Sequence, residues 1–167
     1  MSTGSLGQGV SAAAGMALSA KLTGDSYRVY AVLGDGELEE GQVWEAMMFA
    51  GNKQLDNLVI VADSNGIQLD GTVEELNSPQ PIDKKMKAFP LHPIVVDGHD
   101  FDQLHRAFEE ARTVKGHPTA IIAKTVKGKG VSYMENQVSW HGSAPNKEQY
   151  EKAMEELEKA GEALCQK

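Results

Sequence analysis

An aspartate in the turn Gly34-Asp35-Gly36 and an asparagine in Asp63-Ser64-Asn65-Gly66 are the residues of this chain best suited to chemistry. Asp35 offers a carboxylate and Asn65 an amide oxygen, hard donors that suit a magnesium-sized cation. Each follows a short apolar run, Tyr30-Ala31-Val32-Leu33 and Leu58-Val59-Ile60-Val61-Ala62. Two parallel strands joined by a helix bring both run ends to one rim of a sheet, where open α/β sheets bind their ligands. Gly34, Gly36 and Gly66 free the backbone for tight turns and close ligand approach. Glu37, Glu39 and Glu40 are predicted to crowd the first turn of the following helix, where carboxylates suit the dipole. The same charges repel a bare phosphate, so a phosphate ligand placed here needs a divalent cation between it and the protein. The residues thus point to a metal-bridged diphosphate site. A plain glycine turn, an acidic helix start and an ordinary Asx loop account for them too, and both readings stay open.

These residues need a scaffold, and the rest of the chain supplies the periodicities for one. Small residues over 10–22 read as a helix able to pack closely on a neighbour, led in by Gly4, Gly7 and Gly9. The segment 39–51 reads as a helix that is apolar nearly all round, with Val43, Trp44, Met47, Met48 and Phe49. Such a helix is buried in a core or against another subunit, and in a chain this small a subunit contact is expected. Pro79 and Pro81 mark an irregular stretch before a short helix at 82–88. Strands at 94–96 and 119–123 flank a helix at 101–114 with Leu104, Phe108 and Ala111 on one face. The alternation predicts an α/β fold, a doubly wound, mostly parallel sheet with helices on both faces. A last amphipathic helix over 146–164 carries Asn146 as cap with Gln149 three residues on, and Tyr150, Met154 and Leu157 along its packing side.

Composition narrows the function classes. A chain of 167 residues, 41% hydrophobic and 24% charged, suits one soluble domain over 1–167. A net charge of −8 without a Lys/Arg cluster argues against nucleic acid. No stretch is long and apolar enough to span a bilayer, so no membrane partner is expected. The single Cys165 excludes an internal disulfide framework, and Met1 to Gly9 lacks a basic leader, which together predict a cytoplasmic location. Gly7-Gln8-Gly9-Val10-Ser11-Ala12 formally matches a dinucleotide fingerprint but lacks the strand that must precede it. His92, His99, His105 and His117 stand singly and show no metal-ligand spacing. His141 differs, because it lies in the long Gly-containing segment KTVKGKGVSYMENQVSWHGSAPN after a strand, and such loops are commonly functional.

A GDG turn followed roughly thirty residues later by an asparagine after a hydrophobic strand resembles the signature of thiamine-diphosphate enzymes. The wider text, with GSLGQG, GDGELEEGQVWEA, DSNGIQLDG and SWHGSAPN, resembles the amino-terminal part of transketolase. The resemblance implies magnesium, replaceable by calcium or manganese, held on the cofactor's diphosphate by Asp35, Asn65 and the Ile67 carbonyl. It implies cofactor contacts from Gly4, Leu6, Gly7, Gly34, Gly36 and Glu40, and a catalytic role for His141 in diphosphate contact and proton transfer. Transketolases place the region around Trp44 at a dimer contact, with acidic residues matching Glu40 and Glu45 near the cofactor cleft.

The family also has a longer amino-terminal part with substrate-funnel histidines, and a pyrimidine-binding domain whose glutamate activates the cofactor. Neither is present here. The resemblance therefore implies the diphosphate-binding subunit of a split transketolase, shortened at its start. Such a subunit moves two-carbon ketol units between sugar phosphates only with a pyrimidine-domain partner. The other readings are a deoxyxylulose-phosphate synthase, the alpha chain of a 2-oxo acid dehydrogenase, or a non-catalytic cofactor-binding module. SWHGSAPN speaks against the first two.

Overall fold

The computed structural model describes residues 2–165; Met1, where the leaderless reading begins, and Gln166 and Lys167 lie outside the described residues. In chain order the elements are α1 (Gln8–Thr23), β1 (Val29–Gly34), a 3-10 turn (Glu37–Glu39), α2 (Gly41–Asn52) and β2 (Leu58–Ser64). Then come α3 (Val73–Leu76), α4 (Ile82–Ala88), β3 (His92–Asp97), α5 (Phe101–Thr113), β4 (Thr119–Lys124), a second 3-10 turn (Val138–Trp140) and α6 (Lys147–Cys165).

All four strands are parallel, in the order β1-β2-β4-β3. The two central strands are apolar on both faces, as parallel strands covered on both sides must be. Leu58, Ile60 and Ala62 of β2, with Ala120 and Ile122 of β4, meet α1, α2 and α4 on one face. Val59 and Val61 of β2, with Ile121 and Ala123 of β4, meet α5 through Leu104, Ala107, Phe108 and Ala111 on the other. The doubly wound reading is borne out. Each large aliphatic side chain so buried contributes about 1.5–3 kcal/mol. The edge strand β1 is covered on one face only; Tyr30 leans edge-on against Phe108 with ring centroids 6.0 Å apart, and Val32 stays exposed.

Helix α1 buries Ala13, Ala14, Ala17 and Ala20, small side chains that let it lie close to β1 and α2. Its start differs from the glycine-rich lead-in expected. Gly9 is already helical, and the chain turns at Gly7, whose φ of 79° falls in the left-handed region. In α2, Val43, Ala46, Met47 and Ala50 are buried, while Met48 and Phe49 remain exposed. Trp44 is turned inward: its Nε1 donates to the Leu38 carbonyl at 2.7 Å, and its ring lies 5.6 Å from that of Phe89. The side chains this helix offers outward are therefore Glu45, Met48 and Phe49 rather than Trp44.

The amino-terminal ends of the strands are tied by polar bonds centred on Asp56. Its carboxylate pairs with Lys21 at 2.8 Å and accepts the Gly116 amide at 2.9 Å. Arg28 Nη2 donates to the carbonyls of Asp56 and, across the sheet, Ala111. Asn57 donates to the Ala17 carbonyl at 2.9 Å.

Helix α6 carries the reciprocal cap expected. The Gln149 amide donates to Asn146 Oδ1, and the Asn146 amide to Gln149 Oε1, each at 2.9 Å. On its expected packing side Ala153 is buried, Met154 and Leu157 are part-buried at 36% and 43% exposure, and Tyr150 is 54% exposed. Asn146→Ala is expected to cost about 1 kcal/mol, read as faster amide hydrogen exchange confined to α6. No helix among the described residues is long and apolar enough to cross a membrane.

Candidate functional site

Parallel pairing sets Gly34 opposite Asp63, so the GDG turn and the DSNG loop leave the sheet side by side. The Asp35 amide donates to the Asp63 carbonyl at 3.1 Å, extending the β1–β2 ladder by one step. The Asp35 carboxylate then crosses between the loops: Oδ2 accepts the Gly66 amide at 2.6 Å, and Oδ1 accepts the Gly36 amide at 3.0 Å. Gly66 has a φ of 77°, which an L side chain adopts only under strain. The juxtaposition expected of Asp35 and Asn65 is what the structure shows.

Asp35 is 2% exposed. Burial pushes its carboxyl above the ordinary aspartate value, against the lowering effect of the two amide bonds, and the neighbouring Asp63 charge pushes it further up. Among the described residues no lysine, arginine or histidine pairs with it. A carboxylate held out of water without a cationic partner is costly in its charged form. Asn65 Oδ1 accepts the Ile67 amide at 3.0 Å, closing an Asx turn. The small ladder of this loop uses the groups on either side of Ile67, with Gln68 N on Gly71 O and Val73 N on Gly66 O. Its own carbonyl accepts no hydrogen bond among the described residues. One carboxylate, one amide oxygen and one carbonyl without a hydrogen bond among the described residues thus lie on the two adjoining loops of the rim. No cluster of three His, Cys, Asp or Glu side chains able to hold a metal exists among the described residues.

The acidic residues after Gly36 differ from the sequence reading. They do not begin α2, whose first turn holds no acidic side chain; Glu37 to Glu39 form a separate 3-10 turn. Their partners explain the difference, since Glu37 Oε1 accepts the Gly7 amide at 2.8 Å and Glu39 Oε1 accepts Gln68 Nε2 at 2.9 Å. Glu40 is exposed at the start of α2 and touches the Gly7 region: a Cβ on Gly7 would lie 3.2 Å from Glu40 Cβ and 2.9 Å from Gln42 Nε2. Gly4 and Leu6 are exposed just before it. Sequence reasoning placed Glu37 and Glu39 beside the turn but missed their bonds to Gly7 and Gln68.

Deeper along the rim, the Thr125 hydroxyl donates to Asp63 Oδ1, and Lys124 Nζ to Ser64 Oγ at 3.1 Å. His99 Nε2 accepts the Val126 amide at 2.8 Å, tying the β3–α5 turn to the segment after β4. That segment is ordered on α6: Tyr133 Oη donates to the Gln149 carbonyl at 2.6 Å, and Trp140 Nε1 to the Tyr133 carbonyl at 3.0 Å. His141 follows the second 3-10 turn with its amide on the Val138 carbonyl at 2.9 Å. Its imidazole is exposed and makes no hydrogen bond with Asp35, Asn65 or Ile67. Of the other histidines, His92 pairs with Glu110 at 2.6 Å and His117 meets the Pro90 carbonyl at 3.0 Å, structural roles as expected.

Sheet and rim together define an α/β fold whose candidate site loops follow the carboxyl ends of parallel strands. The chain belongs to the transketolase family: the family model described as transketolase, thiamine diphosphate binding domain, matches residues 1–161. It is 44% identical over 161 residues to the 6-deoxy-6-sulfo-D-fructose transketolase subunit SqwG of Clostridium sp. (strain MSTE9), covering 96% of this chain and 58% of that one. It is 38% identical to an apulose-4-phosphate transketolase subunit of Phocaeicola vulgatus, covering 98% of this chain and 58% of that relative. Human transketolase is 46% identical over 158 residues, 94% of this chain but 25% of the human enzyme. The crystal structure of transketolase from Campylobacter jejuni superposes with a TM-score of 0.87 at 34% identity, over 92% of this chain and 25% of that one. The chain thus spans little more than half of the subunit relatives it matches.

Proposed function

We propose that this chain is the diphosphate-binding subunit of a split transketolase, one unit over 1–167 that holds thiamine diphosphate through magnesium. The observation that carries the reading is Asp35, a buried carboxylate at the rim with no cationic side chain paired to it among the described residues. The rim residues fit a bridging cation. Asp35, Asn65 and the Ile67 carbonyl are all hard oxygen donors, too few to enclose a magnesium ion, so diphosphate oxygens and water would complete its shell. Calcium or manganese would substitute on the same donors.

Around that centre Gly34 and Gly36 let the backbone approach a diphosphate. Gly4, Leu6 and Gly7 would form an apolar wall, with Leu6 already facing outward. Glu40 and His141 would supply polar contacts, and His141 would also move a proton at its imidazole. Bound thiamine diphosphate would supply the electron-sink chemistry that transfer of a two-carbon ketol unit between sugar phosphates requires.

Two relatives, of each of which this chain spans 58%, are named as transketolase subunits, which supports a partner chain carrying the pyrimidine-binding half. Self-association would use the outer face of α2, with Glu45, Met48 and Phe49. A net charge of −8 agrees with small-molecule and protein partners rather than nucleic acid, and the reaction suits the cytoplasm.

Calorimetric titration of the chain with thiamine diphosphate, in magnesium and again in EDTA, tests the reading. Binding is expected in magnesium only, and ketol transfer only once a pyrimidine-domain partner has been supplied. Binding unaffected by EDTA would remove the metal bridge. No binding with both chains present would remove the function.

A further inference from the structure

Three loops meet at the rim, residues 2–7, 34–41 and 65–71, and the 3-10 turn of Glu37 to Glu39 lies between the outer two. Glu37 reaches one way, accepting the Gly7 amide at 2.8 Å, and Glu39 the other, accepting Gln68 Nε2 at 2.9 Å. The loops are close enough to exclude side chains: a Cβ on Gly36 would stand 2.8 Å from Gln68 Cβ. A Cβ on Gly7 would stand 3.0 Å from Gln42 Cγ.

Asp35 also holds this arrangement, through the Gly66 and Gly36 amides. A cation on its carboxylate would use the lone pairs that those amides leave free, so Asp35 would serve ligand and loops together. Glu37 serves the loops alone. Its bond to Gly7 is charge-assisted, half-buried and spans 30 residues of sequence, and among the described residues it is the side-chain hydrogen bond that ties residues 2–7 to the turn. A carboxylate this near an anionic ligand would repel it if left bare. The Gly7 N–H dipole aimed at it offsets part of that repulsion.

Building on the function proposed above, we propose that Glu37 is a positioning residue. It clips residues 4–7 onto the metal-binding turn, so that Gly4, Leu6 and Gly7 stand where the cofactor's ring must lie while Asp35 serves the cation as well. The chemistry asks only for an acceptor at this position. Glutamine serves, whereas alanine and serine, too short to reach Gly7, do not.

The test compares wild type, Glu37→Gln, Glu37→Ala and Glu37→Ser by amide hydrogen exchange at Gly7, thermal midpoint and thiamine diphosphate affinity in magnesium, with the partner chain present. Losing one charge-assisted hydrogen bond predicts faster Gly7 exchange and weaker affinity, each on the order of tenfold, in the alanine and serine variants. The glutamine variant is expected to match wild type in both, and all four to share one thermal midpoint. Rescue by glutamine at constant midpoint separates positioning from general stability. Unchanged Gly7 exchange in the alanine and serine variants would overturn the clip. Faster exchange with unchanged affinity would overturn its role toward the cofactor. Wild type that binds no cofactor would instead sink the underlying function, a result recognisable because it precedes any comparison of variants.

Discussion

Asp35→Ala is expected to abolish magnesium-dependent thiamine diphosphate binding, raising the apparent Kd by at least about 100-fold in calorimetry. Removing an outer-shell partner of a metal ligand already costs about 10–100-fold in affinity, and Asp35 is the only carboxylate among the three proposed donors. The Asn65 and Ile67 oxygens are neutral and cannot replace its charge.

Protonation of Asp35 competes with the cation, and the sign of the pH effect follows. Burial lifts the folded carboxyl above its ordinary 3.8, so the metal-free folded chain holds this proton more tightly than the unfolded one. That group's contribution to stability is present at low pH and is lost as pH rises through the raised value. Magnesium with cofactor binds the ionised form and stabilises the fold by mass action. The thermal shift they produce is expected to grow as pH rises through the same window in wild type, and to be absent in Asp35→Ala. A wild-type shift independent of pH would place the cation elsewhere.

Gly51→Ala is expected to lower stability by about 2 kcal/mol, as overpacking of a tight core contact does. Gly51 is buried at the end of α2, and an added Cβ would fall 2.4 Å from the Phe89 carbonyl oxygen and 3.0 Å from Pro90 Cγ. The nearer atom is backbone, so it yields only if the end of α4 moves, taking Phe89 off Trp44. Alanine's better helix propensity, worth about 1 kcal/mol, works against this clash and is outweighed by it. Gly15→Ala is the control: it is exposed within α1 and meets nothing within 4 Å. There the propensity term acts alone and the change stabilises by about 0.5–1 kcal/mol. Urea midpoints should move in opposite directions for the two variants, with unchanged slope.

The parts of this molecule that follow from short-range pattern were legible in the sequence. Apolar runs of strand length gave β1, β2, β3 and β4, and the meeting of Asp35 with the Asn65 loop followed from one strand-helix-strand unit. The Asn146–Gln149 cap is a spacing rule met in a single turn. What depends on distant partners was not legible. Glu37 and Glu39 have the composition of a helix start, and only contacts 30 and 29 residues away reveal that they brace two loops. Trp44 suits an interface as well as a core; within this chain it is partly buried, with its indole N–H on the Leu38 carbonyl, a contact that pattern alone does not reveal. In α6 the large apolar side chains suggested the packing side, and the most buried residue on it is the small Ala153, which spacing alone does not single out. Nor does alternation alone order the strands, since the crossover that puts β4 between β2 and β3 is set by tertiary packing.

The knot around Asp56 lies at the end of the sheet opposite the ligand loops and draws together Lys21, Arg28, Asn57, Ala111 and Gly116. It gives the fold a fixed keel and leaves the other end to vary. Loops carried on a rigid scaffold accept substitution and insertion more readily than the scaffold does. Changes in the loops after β1, β2 and β4 can alter what the rim accepts. The residues at the keel need not change, and a designer wishing to graft a new specificity has the same freedom.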